Sequence, residues 1–114
     1  MKILNQTRGT VLAERADVAR SFWSRLMGLM GRRELPNGGG LVIQPNGSIH
    51  TFWMRFPIDV VFVDRANVVV GLQEAMPPNR PYAGARRAHK TLELPVGVIK
   101  HSGTVRGDQI MLEQ

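Results

Sequence analysis

The chain contains no cysteine. That excludes disulfides, a thiol nucleophile and a thiolate metal site in one step. No window approaches the ~20 apolar residues that span a bilayer. The first fifteen residues carry apolar Ile3-Leu4 and Val11-Leu12-Ala13, separated by Asn5, Gln6, Thr7, Arg8 and Gly9. They form no secretory h-region, so the expected location is the cytoplasm. Internal repeats, low-complexity tracts and linkers are also missing. So are a G-x-S-x-G elbow and a Ser-His-Asp spacing. Gly38-Gly39-Gly40 leads into a strand rather than a helix, which makes it turn material and not a phosphate loop.

What is present is an ordinary globular composition. The 114 residues are 43% hydrophobic and 21% charged, which excludes a disordered or fibrous chain. This is enough length for one core and too little for two, so residues 1–114 are expected to form a single domain. Fifteen Lys and Arg against nine Asp and Glu give a net charge of +6. Such a surface favours contact with anions, or simply keeps the protein soluble.

Twelve glycines and seven prolines cut the chain into short runs, as in a β fold with tight turns. Strands are expected over Met1–Leu4, Thr10–Glu14, Leu41–Ile43, Ile58–Asp64, Asn67–Glu74, Thr91–Leu94 and Gln109–Glu113. Asp64-Arg65-Ala66-Asn67 reads as a hairpin turn. Asp17 reads as an N-cap, followed by apolar Val18, Phe22, Leu26, Leu29 and Met30, which predicts one helix over Val18–Met30. Val96–Ser102 is expected to make a helical turn or two. The connection from Pro77 to Lys90 is long, polar and proline-bearing, which marks a functional or mobile loop.

The densest segment runs from Ser48 to Asp64. In its strand, Ile58, Val60 and Phe62 share one face, and Asp59, Val61 and Val63 share the other. Both faces are apolar, so the strand is expected to be central and buried on both sides. Asp59 then needs a partner, because an unpaired buried carboxylate costs several kcal/mol. Arg55, His50 and Thr51 are its nearest candidates along the chain.

The run IHTFWMRFPIDVVFVD follows ARSFWSRLMGLMGR and precedes LELPVG and RGDQI. In this order the chain resembles the DUF192 family, also called UPF0127. The matching positions are Gly28-Leu29-Met30, Leu41-Val42-Ile43, Met54 to Asp59, Leu92-Glu93-Leu94 with Gly97, and Gly107-Asp108. The resemblance implies a mainly β, compact sandwich- or barrel-like domain with one flanking α-helix. The family is one of uncharacterised proteins, so it supplies a fold and a candidate site but no activity. Many members carry a cysteine before the Ile-His-Thr run and many are exported. This chain has Pro45-Asn46-Gly47-Ser48 there and no signal, so neither role carries over.

Three functional readings follow. The first is a small-ligand-binding or accessory domain whose pocket is built by His50, Thr51, Trp53, Arg55 and Asp59, suited to a small polar or sugar-like ligand. Arg55 would orient an anion or carbonyl, His50 and Thr51 would supply hydrogen bonds, and Trp53 a stacking face. Phe52, Phe56 and Tyr82 add flat surface, with Phe56 expected to pack in the core. The second is binding of a polyanion such as nucleic acid through Arg32, Arg33, Arg86, Arg87 and Lys90. No recognised nucleic-acid motif accompanies these short clusters. The third is a hydrolase-type enzyme using His50 with Asp59 as acid and base.

No cofactor or metal is expected, because His50, His101, Asp59 and Asp108 lack a close ligand spacing. Glu93, pointing away from Leu92 and Leu94, is expected to be solvated or paired with an arginine. Asp108 after Gly107 reads as turn chemistry.

Overall fold

A computed structural model describes residues 1–20, 34–45, 47–49, 54–80 and 82–114. Among the described residues, ten strands carry the architecture: β1 (Lys2–Asn5), β2 (Thr10–Ala13), β3 (Arg15–Ala19), β4 (Gly39–Ile43), β5 (Ser48–Ile49), β6 (Ile58–Val63), β7 (Val69–Met76), β8 (Ala83–Gly84), β9 (Lys90–Leu94) and β10 (Ile110–Glu113). A short helix, α1 (Val98–Ser102), lies between β9 and β10. The fold is mainly β, as composition and turn spacing indicate.

The largest sheet has five strands in the order β3-β4-β9-β6-β7, beside a three-stranded sheet β10-β1-β2 and the pair β5-β8. In β6, all six residues are buried. Their alternation feeds two separate cores. Val61 and Val63 pack with Ile3, Leu12, Val42, Leu92, Leu94, Ile99 and Ile110. Ile58, Val60 and Phe62 pack with Leu41, Ile43, Ile49, Met54 and Met76 on the other face. A strand covered on both sides gains nothing from a polar face, which is why its sequence is continuously apolar apart from Asp59.

The hairpin joining β6 to β7 has the expected turn. Asn67 N–H donates to the Asp64 carbonyl at 3.0 Å. Asp64 Oδ1 accepts from the Ala66 and Val68 amides at 2.9 Å each. Asn67 itself takes φ 62, a left-handed conformation that asparagine tolerates well.

One expected element is corrected. Asp17, Val18 and Ala19 do not open a helix; they belong to β3, paired in parallel with β4 from Arg15↔Gly39 to Ala19↔Ile43. Ala16 and Ala19 are buried while Arg15 and Asp17 are exposed; Ala16 packs in one core and Ala19 in the other, on opposite faces of the strand. At this point pairing with a neighbouring strand overrides an apparent N-cap. The remaining apolar positions of that helix, Phe22, Leu26, Leu29 and Met30, lie outside the described residues.

Candidate functional site

Asp59 is the acid that the β6 sequence requires to be partnered, and it is 1% exposed. Its partners are backbone amides rather than a side chain. Oδ1 accepts from Ala75 N–H at 2.8 Å. Oδ2 accepts from Gly97 N–H at 3.1 Å and Ile99 N–H at 3.0 Å. Each donor has a local reason to be available. Between Ile58 and Val60 the β6–β7 register slips, and Ala75 bulges out with φ 47, so its amide is freed from the ladder. Gly97 stands at φ 100 before α1, and the first amides of a helix have no partner within it. One carboxylate therefore ties the end of β7 and the entrance of α1 to the central strand.

This geometry redistributes the residues expected to form one site. Arg55 is exposed, and Asp59 looks toward the core face of Val61 and Val63, opposite the face that receives Ile49 and Met54. The structure does not bring Arg55 and Asp59 together. His50, Thr51 and Trp53 lie outside the described residues, as do Arg32 and Arg33. Phe56 packs at the edge of the second core, as expected.

A second buried acid follows α1 in the chain. Asp108 Oδ2 accepts from Asn5 Nδ2 at 3.0 Å, Arg8 Nε at 3.1 Å and Val105 N–H at 3.0 Å. Burial alone would raise its pKa. The hydrogen bonds from Asn5, Arg8 and Val105, with the charge of Arg8, outweigh that and hold it at about 2. Asn5 Nδ2 also donates to Thr104 Oγ1 at 3.0 Å, and Thr104 shares a 2.6 Å hydrogen bond with Ser102. The turn reading of Asp108 is right, and its cross-links to β1 were not visible in the sequence. Of the two alternatives expected for Glu93, the solvated one is corrected: it is 3% exposed, set on β9 opposite Leu41 and Val60.

The basic residues of the second reading are dispersed in role. Arg86 and Arg87 are exposed on a turn closed by Ala88 N–H to the Ala85 carbonyl at 3.2 Å. Lys90 Nζ donates to Asn67 Oδ1 at 2.7 Å. Burial lowers the Lys90 pKa, opposed by the nearby charge of Asp64. His89 is likewise lowered by burial, then by the charges of Arg65 and Lys90. Among the described residues, no three His, Asp or Glu side chains gather as a metal would require. Among the same residues, no helix is long and apolar enough to cross a membrane.

One cleft is built directly on the Asp59 clamp. It has a volume of about 630 Å³ and lies between β2, the Asn37-Gly38 turn and the Pro95–Ser102 segment. Val11 and Val96 stand on it at 41% and 49% exposure, with Glu14, Asn37 and His101 among its polar groups. Thr10 Oγ1 donates to the Ser102 carbonyl at 2.8 Å and joins its two walls.

Residues 3–112 match the DUF192 family, described as an uncharacterized ACR. The chain belongs to this family. A UPF0127 protein of Thermococcus sibiricus is 37% identical over 113 residues, covering 95% of this chain and 72% of that protein. A UPF0127 protein of Pyrococcus furiosus is 32% identical and covers 95% of each chain. A crystal structure of a protein of unknown function from Novosphingobium aromaticivorans superposes with a TM-score of 0.84 at 20% identity, covering 97% of this chain and 82% of that one. It shares the fold. In this DUF192 chain, two of the sequence pieces that carried the resemblance meet in space. Asp59 closes the Met54–Asp59 piece and Gly97 closes the Leu92–Gly97 piece. They lie 38 positions apart and are joined by the 3.1 Å hydrogen bond to Oδ2.

Proposed function

We propose that this DUF192 protein is a small-ligand-binding domain and that its ligand enters the cleft between β2 and the Pro95–Ser102 wall. The observation that carries this reading is how the wall is held. Asp59 grips the Gly97 and Ile99 amides from the core side, so the cleft is preformed and a ligand would not have to order it. Concave sites with a largely apolar lining and a few polar groups are the usual form of small-molecule sites. Val11, Val96 and Val98 supply the apolar part, and Glu14, Asn37 and His101 the hydrogen bonds. In this reading Asp59 is a positioning residue, and the ligand does not touch it.

The segment of His50, Thr51, Trp53 and Arg55 is the other location for the same function. The hydrolase-type reading is disfavoured, because both carboxylate oxygens of Asp59 already accept backbone hydrogen bonds. The polyanion reading is weakened by the engagement of Lys90 with Asn67.

The test is a thermal-shift screen of small molecules, with hits mapped by amide chemical shifts. Perturbations at Thr10–Glu14 and Pro95–Ser102 are expected. Val96→Asp, at a half-exposed position, should weaken binding by about tenfold or more while leaving the melting temperature nearly unchanged. Perturbations confined to residues 50–55 with Val96→Asp binding normally would refute the cleft and favour the other location.

A further inference from the structure

We propose that the groove between β7 and the Tyr82–Arg86 segment is a separate site for a small ligand that joins a phosphate group to a flat ring, the chemistry of a mononucleotide. The groove has a volume of about 510 Å³ and runs along Val70–Gln73, with Tyr82, Arg86 and Arg106 at its sides. It shares no lining residue with the cleft proposed above, and the two stand or fall separately.

Its charge is the first argument. Arg86 comes from the segment before β9 and Arg106 from the turn before β10, yet both line one groove. The ion pairs among the described residues are Lys2–Glu14 and Arg8–Asp108, so neither guanidinium has a carboxylate partner there. No acidic side chain lines the groove. Glu74, the nearest acid along β7, lines a different hollow with Ile99, Lys100 and Thr104. Two unneutralised guanidiniums facing one polar groove create a positive potential that a dianionic phosphate matches in charge. Their planar forks suit its oxygens.

The aromatic side is the second argument. Tyr82 is 69% exposed, yet the hydroxyl end of its ring is seated. A Cβ placed on Gly84 would lie 2.5 Å from Tyr82 Oη, so the ring end rests against the bare backbone of that glycine. The segment is held just as closely to the sheet. A Cβ on Gly71 would fall 2.6 Å from Ala85 Cβ. β8 also pairs with β5 through Ser48↔Gly84 and Ile49↔Ala83. A seated, largely exposed ring beside two arginines forms a stacking platform next to an anion hole. The Gln73 amide adds a donor and an acceptor for the ring edge.

The experiment is calorimetric titration of the full chain with AMP, adenosine and inorganic phosphate. AMP should bind with a Kd below about 1 mM and at least about tenfold more tightly than either part alone. Arg86→Glu and Arg106→Glu should each weaken AMP by about tenfold or more, since a desolvated charge-assisted contact becomes a repulsion. Tyr82→Ala should weaken AMP and leave phosphate unchanged. Raising salt from about 50 to about 300 mM should weaken AMP a few-fold. All three side chains are exposed, so the variants should keep the wild-type melting temperature, which checks that they fold. AMP binding no tighter than adenosine, or unchanged in Arg106→Glu, overturns the proposal. So does AMP binding that Val96→Asp abolishes and Arg106→Glu spares. A single-stranded oligonucleotide binding far more tightly than AMP, with losses at Arg87 as well as Arg86, overturns it in favour of a nucleic-acid surface.

Discussion

Replacing Asp59 with asparagine separates a carboxylate that organises the fold from one that merely sits inside it. The wild-type group, itself buried, offers two oxygens to three N–H donors, Ala75 and Gly97 part-buried and Ile99 buried, at 2.8, 3.1 and 3.0 Å. Asparagine has the same shape but one acceptor. With its oxygen toward Gly97 and Ile99, its NH2 faces the Ala75 amide, donor against donor. Flipped, it faces the other two. In either orientation at least one backbone donor loses its acceptor, the buried side-chain NH2 finds none there, and the rest lose the assistance of charge. At about 1–3 kcal/mol for an orphaned buried group, the expected loss is about 2–3 kcal/mol, and Asp59→Ala should lose about 3–5 kcal/mol. For a domain of this size the asparagine variant should melt about 10–20 °C lower. Urea unfolding followed by tryptophan fluorescence gives the energy. Hydrogen exchange gives the location, since Ala75, Gly97 and Ile99 should exchange faster than global unfolding explains. An asparagine variant within about 0.5 kcal/mol of wild type would refute the clamp. So would a large loss that leaves those three amides no more exchangeable than Val61.

Two further outcomes concern the other cross-links. Asp108 has a folded pKa of about 2 against an ordinary 3.8. Its contribution, about 2 kcal/mol, is therefore complete above about pH 5 and is lost as pH falls toward 2. Asp108→Asn should flatten the stability profile in that window, and an unchanged acid limb in denaturant titrations would contradict the assignment. Gly71→Ala places a methyl 2.6 Å from Ala85 Cβ, which should cost about 1–3 kcal/mol by overpacking. A variant as stable as wild type would mean the Tyr82–Arg86 segment is not seated on β7.

The strands were legible because their burial is simple. In β6, alternation of Ile58, Val60 and Phe62 with Val61 and Val63 identifies a strand covered twice, and two cores do flank it. The need to partner Asp59 was legible for the same reason, since no neighbour on its apolar face could carry the charge. Its partners were not. They are main-chain amides made available by a bulge at Ala75 and a left-handed Gly97, features that depend on how β7 and β9 register against β6. Chain proximity pointed to Arg55 because it is four residues away, but adjacent segments of an extended strand can leave on opposite faces. The start of the expected helix failed for a related reason. Asp17 to Ala19 is too short a span for any period to decide, and pairing with β4 decided it. The two clefts were invisible, because their walls are assembled from segments far apart in the chain.

The pairing of β1 with β10 bears on the order in which this protein can be made. Lys2 lies opposite Glu113, and Asn5 opposite Ile110. The buried amide of Asn5 reaches Asp108 across 103 positions of chain. During synthesis β1 can find β2 at once, but the third strand of its sheet is made only after β3 to β9. Until then Ile3, which is fully buried in the finished core, lacks the cover that Ile110 and Leu112 provide. Closing so long a loop is slow. The nascent chain therefore carries an open, apolar-backed strand edge until β10 is made, and in that interval aggregation competes with pairing.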